Sequence, residues 1–463
     1  MEKLPALLAV ARELLSQGEP ALARAVLETC VQRDPGSLQA WLELSNVHYI
    51  LGARQASLDA SFQAAALAPH DMAVHFNIAT VAQQLGLHEV ALASREKLLA
   101  ADSGNAGHHF NLAEVLDRLG QFDRALPHYR QAAALKPDDL DFHIHLGYAL
   151  LRLGHWHEGW QELSWYWSPQ GLETHSPWAL ATARPLLKKG DPVEGKSILV
   201  TGWGGTGDLI MFARLMEQLT RRGAKEVALH AFHHAAFFSG NRWAYPAFSH
   251  EGATGFFDLL ARHDAWVPAA ALPAVLGLEP AELASSGAYF SADEKLRAGW
   301  KARLPAGDAR KKVGLAWSGD ANNLYEHNRS IATPVLLPLL QQLPDVDWYV
   351  VQKNERNAEL QAFALPAVFD YSASFTDLQA TAALMAELDL VISVDSLPAH
   401  LAASLGVPTW LLLSAAADWR WGVAGETTPW YAGMRLYRQK ALGDWAEVLA
   451  RVAADLQRLP KRV

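Results

Sequence analysis

Residues 197–208 read Ser-Ile-Leu-Val-Thr-Gly-Trp-Gly-Gly-Thr-Gly-Asp, and Leu-Ile-Met-Phe-Ala follows at 209–213. The first five residues form the short apolar run typical of a buried strand, and the last five are typical of a buried helix. The glycines between them let the backbone approach a ligand, and the free N–H groups of a helix start attract an anion. Strand, glycine-rich turn and helix together predict the opening of a doubly wound α/β domain.

A second unit of the same kind begins at residues 312–319, Lys-Val-Gly-Leu-Ala-Trp-Ser-Gly. The sequence predicts further strands at 226–231, 348–352, 388–394 and 409–413, and helices at 376–387 and 398–405. Two such domains in tandem form a cleft at the carboxyl ends of their strands, where α/β proteins bind ligands.

One strand leads directly into a helix start that suits a diphosphate. Residues 391–401 read Val-Ile-Ser-Val-Asp-Ser-Leu-Pro-Ala-His-Leu, with Pro398 in the first turn, where its missing N–H costs nothing. Ser396 and the amides that follow it can cradle an anion, and His400 can donate to a phosphate oxygen. Arg329 offers a planar fork to phosphate oxygens, and Lys353 adds a second cation at the same sheet edge.

The first third of the chain is repetitive. Glycines recur every 34 residues, at Gly18, Gly52, Gly86, Gly120 and Gly154. Apolar positions between them follow a period of 3.6, and Pro35, Pro69 and Pro137 stand seventeen residues after three of the glycines. Each unit is therefore predicted to be a helix, a turn at glycine and a second helix. Ala91 and Ala125 are predicted where the two helices approach closely.

This pattern resembles the tetratricopeptide repeat, over residues 1–165 or so. The resemblance implies an α-helical superhelix whose groove binds peptide. Asn77 and Asn111 hold the same position in successive units, and a similar asparagine ladder grips the protein substrate in O-linked N-acetylglucosamine transferases. We therefore expect Asn77 and Asn111 to contact an acceptor, although asparagine is also simply common at this repeat position.

The histidines favour packing rather than metal binding. His75, His109 and His143 fill a phased slot that is usually aromatic, and neither a His-Glu-x-x-His pattern nor a second cysteine beside Cys30 is present. We expect neither a metal nor another cofactor.

The motifs of the α/β region resemble heptosyltransferase-like glycosyltransferases, and more closely their bacterial relatives with fused tetratricopeptide repeats. The matching motifs are Gly-Thr-Gly-Asp at 205–208 with its preceding glycines, Gly-Leu-Ala-Trp-Ser-Gly at 314–319, Asn-Arg-Ser-Ile at 328–331, Gln-Lys at 352–353 and the run at 389–402. The resemblance implies the GT-B fold of two Rossmann-like domains and metal-independent, inverting transfer from a nucleotide sugar. It implies donor contacts at Ser318, Arg329, Ser330, Gln352, Lys353, Asp395, Ser396, Leu397 and His400, and acceptor contact at Gly207.

The family's general base corresponds to Asp208 in this sequence. An inverting transfer needs one carboxylate to take the proton of the acceptor hydroxyl. The alternative is that Asp208 only caps its own helix. Asp395 could likewise be a helix cap, and Gln352 could merely close its strand.

Composition restricts the class of protein further. The 463 residues carry 49 acidic and 40 basic side chains, a net charge of −9, which argues against nucleic-acid binding. The start of the chain lacks a signal-peptide pattern, and no apolar run is long enough to span a bilayer. We expect a soluble, cytoplasmic, reduced protein. Repeat arrays often dimerise, so a homo-oligomer stays open.

These observations predict four segments: tetratricopeptide repeats at 1–167, a connector at 168–194, an acceptor-side Rossmann-like domain at 195–305 and a nucleotide-sugar domain at 306–463. The expected function is transfer of a sugar to a protein acceptor that the repeats recruit. The alternatives are transfer to a lipid or saccharide and a non-catalytic scaffold.

Overall fold

The structure is a computed structural model that describes residues 4–176, 182–231, 234–239, 244–249, 252–283, 287–305, 310–320 and 326–460. Contacts divide the chain into two compact units, Met1–Ala149 and Leu150–Val463. The predicted connector contains residues 177–181 and the predicted boundary at 305/306 adjoins residues 306–309, all of which lie outside the described residues. The division into four segments stays a prediction.

The first unit consists of antiparallel helix pairs. Its helices are α1 (Leu4–Ser16), α2 (Pro20–Arg33), α3 (Leu38–Ile50), α4 (Arg54–Leu67), α5 (Met72–Gln84), α6 (His88–Ala101), α7 (Ala106–Arg118), α8 (Phe122–Leu135) and α9 (Leu140–Arg152), which runs into the second unit. Successive helices pack on one another along the chain. This is the helical repeat array that the sequence predicts.

Two phased signals define the helix ends. The five phased glycines all adopt positive φ, between 72° and 85°, as the residue that ends a helix must. Ser37, Asp71, Asn105 and Asp139, again 34 residues apart, each accept a backbone N–H in the first turn of the following helix. Ala91 and Ala125 are fully buried between helices, as predicted.

One aromatic slot repeats with the same hydrogen bond. Trp41 Nε1 donates to the Pro35 carbonyl at 2.8 Å. The ring nitrogens of His75, His109 and His143 bond the carbonyls of Pro69, Ser103 and Pro137 at 2.8, 3.1 and 2.8 Å. In every case the acceptor lies six residues upstream. These histidines are therefore structural members of the repeat.

The second unit contains two parallel sheets. The first has the order β3-β2-β1-β4, from β1 (Ser197–Thr201), β2 (Glu226–His230), β3 (Ala247–Phe248) and β4 (Ala265–Pro268). The second has the order β10-β9-β8-β5-β6-β7, from β5 (Lys311–Ala316), β6 (Val346–Val350), β7 (Val368–Asp370), β8 (Leu390–Val394), β9 (Thr409–Leu413) and β10 (Met434–Arg438). Both orders are those of doubly wound Rossmann-like sheets, which agrees with the GT-B fold that the resemblance implies.

Helices cover both sheets. They are α10 (Trp156–Leu163), α11 (Pro169–His175), α12 (Thr206–Ala213), α13 (Met216–Arg221), α14 (Ala235–Ser239), α15 (Gly252–Ala261), α16 (Leu272–Leu276), α17 (Glu294–Arg303), α18 (Glu326–Arg329), α19 (Thr333–Gln342), α20 (Arg356–Gln361), α21 (Leu378–Met385), α22 (Leu397–Ser404) and α23 (Trp445–Arg458). A hydrophobic core lies between the second sheet and helices α19 and α23, around Leu315, Trp348 and Ile392. Among the described helices, none is both long and apolar enough to cross a membrane.

Candidate active site

The functional side chains follow strands at the edge where both parallel sheets end. The first turn of α12, which follows β1, supplies Gly207 and Asp208, and the loop after β8 supplies Asp395 and Ser396. The loop after β9 adds Arg420. Since α12 packs against α22, the helix starts that follow β1 and β8 lie against each other. Parallel strands bring their carboxyl ends to one edge, so this convergence follows from the topology.

Both carboxylate oxygens of Asp208 are engaged. Oδ2 accepts the Gly205 N–H at 2.9 Å, which caps the start of α12. Oδ1 accepts a hydrogen bond from Arg420 Nη2. Gly204 has φ +73°, and a Cβ there would lie 2.5 Å from Asp208 Oδ2, so only glycine fits beside the carboxylate. Asp208 therefore caps its helix with one oxygen and presents the other to the second sheet.

Arg420 bridges two acidic residues. Its Nη1 donates to Asp418 Oδ1 at 2.6 Å while its Nη2 contacts Asp208. Burial disfavours the charge on Arg420, but the carboxylates of Asp208, Asp418 and Asp395 raise its pKa above the ordinary value. Burial also opposes ionisation of Asp418, yet its contacts with Arg420 lower its pKa overall. The guanidinium therefore remains charged and holds the neighbouring carboxylate ionised.

His400 is a buried, neutral imidazole. Its Nδ1 lies 2.9 Å from Tyr431 Oη, and its ring lies 5.5 Å from that of Trp421. Burial lowers the pKa of His400 to about 4. Its Nε2 is 4.0 Å from Asp395 Oδ1, and Gly207 packs directly on its ring. His400 therefore meets any ligand as an uncharged hydrogen-bonding group at neutral pH.

The surroundings of Asp395 favour its protonated form. Burial, followed by the charge of Asp418, raises its pKa to about 6, although the charges of Arg420 and Arg329 oppose this shift. The adjacent Ser396 hydroxyl donates to the Val394 carbonyl at 3.2 Å and does not cap the helix that begins at Leu397. A carboxylate held at such a cost is typical of a functional site.

Gln352 ties the ends of β5 and β6 together. Its Oε1 accepts the N–H groups of Trp317 and Ser318 at 2.7 and 3.0 Å, and its Nε2 donates to Ser318 Oγ at 3.0 Å. Both Gln352 and Ser318 are almost fully buried. These contacts are those expected if Gln352 closes its strand, which was the alternative to a donor contact.

A carboxylate that the sequence analysis missed organises the Arg329 region. Glu326 accepts from Arg329 Nε at 2.6 Å, from Gly319 N–H at 2.5 Å and from the Ser330 hydroxyl. Glu326 therefore fixes the turn after β5 and holds the guanidinium of Arg329. Lys353, in contrast, is exposed, and its Nζ donates to the Phe375 carbonyl at 2.8 Å.

In the first unit, Asn77 and Asn111 lie on α5 and α7 and are partly exposed. Neither carboxamide makes a hydrogen bond to any residue that the structure describes, so both remain available to a ligand. Within the described ranges, no three His, Cys, Asp or Glu side chains come together as a metal site would require.

The sequence analysis did not assign roles to Arg420, Asp418 or Tyr431. The signal that could have found them is the run Asp-Trp-Arg-Trp at 418–421, with Trp-Tyr at 430–431, in the segment after the predicted strand at 409–413. Arg420 and Asp208 are 212 residues apart in sequence, so spacing could not pair them.

Comparison with known proteins gives three family matches. Residues 354–431 match the model described as glycosyltransferase family 9 (heptosyltransferase). Residues 4–47 match the tetratricopeptide repeat model, and residues 115–154 match a further TPR repeat model. The glycosyltransferase match covers the part of the second sheet that carries Asp395, His400 and Arg420.

Individual proteins that resemble this chain have low sequence identity to it. Protein FlbA from Caulobacter vibrioides is 28% identical over 289 residues, which cover 58% of this chain and 47% of FlbA. The chain thus spans about half the length of this curated relative. Similar solved structures include MamA 41-end from Desulfovibrio magneticus RS-1, at 18% identity and TM-score 0.35 over 38% of this chain and 98% of that chain. YrrB, described as a TPR protein with an unusual peptide-binding site, has 16% identity and TM-score 0.34 over 38% of this chain and 88% of its own.

The family matches agree with the motifs read from the sequence and with the two architectures of the fold. The chain combines segments that match tetratricopeptide repeats with a segment that matches the glycosyltransferase family 9 (heptosyltransferase) model.

Proposed function

We propose that this chain is an inverting, metal-independent glycosyltransferase that moves a sugar from a nucleotide-sugar donor to a protein acceptor. The observation that carries the proposal is the convergence of Asp208, Asp395, His400 and Arg420 at one edge of two Rossmann-like sheets. The family 9 match over residues 354–431 supports a glycosyltransferase. The proposed place of action is the cytoplasm, in keeping with a single, unpaired cysteine, Cys30.

In the proposed reaction, Asp208 accepts the proton of the acceptor hydroxyl as that oxygen attacks the anomeric carbon. The bond from the anomeric carbon to the diphosphate breaks, and the leaving group carries away its electron pair. General-base catalysis of this kind contributes roughly 10²–10⁴-fold to a rate. The helix cap that Asp208 provides does not prevent this role, because each carboxylate oxygen has two acceptor sites and uses one of them here.

The leaving diphosphate needs positive charge and hydrogen-bond donors. We assign the donor contacts to Ser318, Arg329, Ser330, Gln352, Lys353, Asp395, Ser396, Leu397 and His400. Arg329 is held by Glu326 but still has N–H groups to offer, and the helix that begins at Leu397 adds the positive end of its dipole. Ser318 and Gln352 are buried and hydrogen-bonded to each other. Within this set, their role is to hold the ends of β5 and β6 in place at the donor site.

The tetratricopeptide repeats support protein binding. In the proposal, Asn77 and Asn111 hold the backbone of an acceptor segment, since each carboxamide can both donate and accept. The acceptor then reaches Asp208 past Gly207. The alternative is transfer to a lipid or saccharide, which the heptosyltransferase description of family 9 favours.

The first experiment is a thermal-shift screen against UDP, GDP, ADP, CMP and dTDP. We expect one nucleotide to raise the melting temperature of the wild-type chain and to lose this effect in Arg329→Ala. The matched control is Arg435→Ala, which removes a partly exposed arginine of β10 that pairs with Glu426 and Asp455. If no nucleotide raises the melting temperature, the donor site is wrong.

The second experiment separates the acceptors. Nucleotide sugars that carry the identified nucleotide are supplied as donors, first with candidate proteins and, in parallel, with saccharide acceptors. We expect transfer onto protein that Asp208→Asn abolishes and that Asn77→Ala with Asn111→Ala weakens. Transfer onto saccharide alone, unaffected by the asparagine variants, would favour the heptosyltransferase-like alternative.

A further inference from the structure

Arg420 connects the two sheets at the proposed base. Asp208 follows β1 in the first sheet, and Arg420 follows β9 in the second sheet. The guanidinium donates through Nη2 to Asp208 and through Nη1 to Asp418, and only 18% of its side chain is exposed. A planar fork can meet two carboxylates at once, whereas an ammonium is a point charge.

The backbone and ring contacts around Arg420 fix this fork. Its own N–H donates to Asp418 Oδ1 at 3.1 Å, and its carbonyl accepts from Trp430 Nε1 at 2.9 Å. The guanidinium carbon lies 4.7 Å from the centre of the Trp419 ring. Arg420 is therefore held from its main chain, its carboxylate partner and one ring face.

The contact with Arg420 restricts the orientation of the Asp208 carboxylate. The Gly205 N–H fixes one oxygen, and Arg420 fixes the other, so the carboxylate plane cannot rotate about its Cβ–Cγ bond without losing a bond. A base held in this way presents its remaining lone pairs in one direction. Small errors in such an alignment are costly to a reaction rate.

We propose that Arg420 is a positioning residue, which orients the Asp208 carboxylate toward the acceptor hydroxyl. This inference rests on the proposed function, in which Asp208 is the base. It adds a residue to that site and makes the reaction depend on a contact between the two sheets.

The test compares Arg420→Ala, Arg420→Lys and the control Arg435→Ala in nucleotide release from UDP-, GDP-, ADP-, CMP- and dTDP-sugars, with the candidate proteins and saccharides of the acceptor experiment supplied as acceptors. We expect kcat of Arg420→Ala to fall about ten- to a hundredfold, as for other residues that orient a reacting group, with little change in KM for the donor. Guanidinium chloride at low concentration should restore part of the lost kcat, because the free ion can occupy the vacated position. Arg435→Ala should behave as wild type.

Arg420→Lys keeps the charge, and so guards against the case in which Arg420→Ala does not fold. We expect it to fold and to lose kcat without rescue by guanidinium, since its side chain still fills the position but cannot bridge both carboxylates. A wild-type kcat in Arg420→Lys, or loss in Arg420→Ala that guanidinium leaves unchanged, would overturn the inference.

The wild-type chain separates this inference from the proposed function. If wild type releases no nucleotide from any of the five donor classes, the proposed function fails and the role of Arg420 fails with it. If wild type is active and the Arg420 variants keep its kcat, only the inference about Arg420 fails.

Discussion

Gly207 lies so close to His400 that a Cβ on Gly207 would be 2.8 Å from the Cδ2 atom of the histidine ring. Gly207 belongs to the first sheet's helix α12, and His400 belongs to the second sheet's helix α22. The absence of a side chain at position 207 is therefore what lets the two helix starts meet. This contact positions His400 beside the first turn of α12, which carries Asp208.

Replacing Gly207 with alanine tests that contact. The His400 ring is buried and held by Tyr431, so it cannot move aside cheaply. We expect Gly207→Ala to destabilise the fold by about 1–3 kcal/mol, the usual cost of an overpacked site, and to lower activity. The measurement is chemical denaturation together with the nucleotide-release assay.

Gly299→Ala is the matched control. Gly299 is also inside a helix, α17, but a Cβ there would have nothing within 4 Å. Since alanine is the better helix former, this variant should gain up to about 1 kcal/mol. Equal stability of the two variants would contradict the close packing of Gly207 on His400.

The burial of Asp395 predicts a stabilising substitution. Its pKa is raised to about 6, above an ordinary value of 3.8, so its contribution to stability is complete below pH 3.8 and is lost as the pH rises through 6. Asp395→Asn removes this penalty. We expect the variant to melt at a higher temperature than wild type at pH 7.5 and to lose that advantage near pH 4.

The same variant should weaken nucleotide binding if Asp395 contacts the donor. Thermal shift with the nucleotide found in the screen measures both effects in one experiment. A variant that is less stable than wild type at pH 7.5 would show that the carboxylate is not under strain.

His400 predicts pH dependence of the opposite sign. Burial lowers its pKa from 6.5 to about 4, so the unfolded chain binds a proton more readily. The stability due to neutral His400 is complete above pH 6.5 and is lost as the pH falls toward 4, by up to roughly 3 kcal/mol. Replacing it by Asn should flatten the melting temperature between pH 7.5 and pH 5. An unchanged profile would mean that His400 is not the group that titrates.

The positive φ of the repeat glycines predicts that replacing one of them destabilises the first unit. Gly86 has φ +73°, and a Cβ at this position would meet nothing within 4 Å, so conformation alone excludes other residues. We expect Gly86→Ala to destabilise the repeats by about 1–2 kcal/mol. Gly104→Ala, whose backbone has no such φ, is the control and should be close to neutral. Thermal unfolding followed by circular dichroism measures both.

Much of the architecture could be predicted from local patterns. The 34-residue glycine phase predicts the helix pairs, and the predicted strands at 197–201 and 409–413 coincide with β1 and β9. Strands β3, β4 and β7 were missed because they have only two to four residues, and β10 was missed because arginines interrupt its apolar run. Short or charged edge strands carry little periodicity for sequence reasoning to detect.

The candidate site was predictable where chemistry follows a strand end. Asp395 and Ser396 stand directly after a predicted strand, and Asp208 and His400 lie in the first turns of the helices that follow predicted strands. Parallel topology brings such positions together. Arg420 and Glu326 were not predictable, because their importance lies in partners that only the folded chain brings near. The cap that was one alternative for Asp208 is observed through Oδ2, while Oδ1 accepts from Arg420 and the role of base stays a prediction.

The ring-to-carbonyl bond of the repeats has a consequence for how this array can evolve. In the four units that begin with α3, α5, α7 and α9, the donor ring and the accepting carbonyl are six residues apart, as with Trp41 and Pro35 or His75 and Pro69. Duplication or loss of a whole 34-residue unit therefore moves both partners together. The array can change in length, and the aromatic position can change from tryptophan to histidine, while each of these units keeps its own ring-to-carbonyl hydrogen bond.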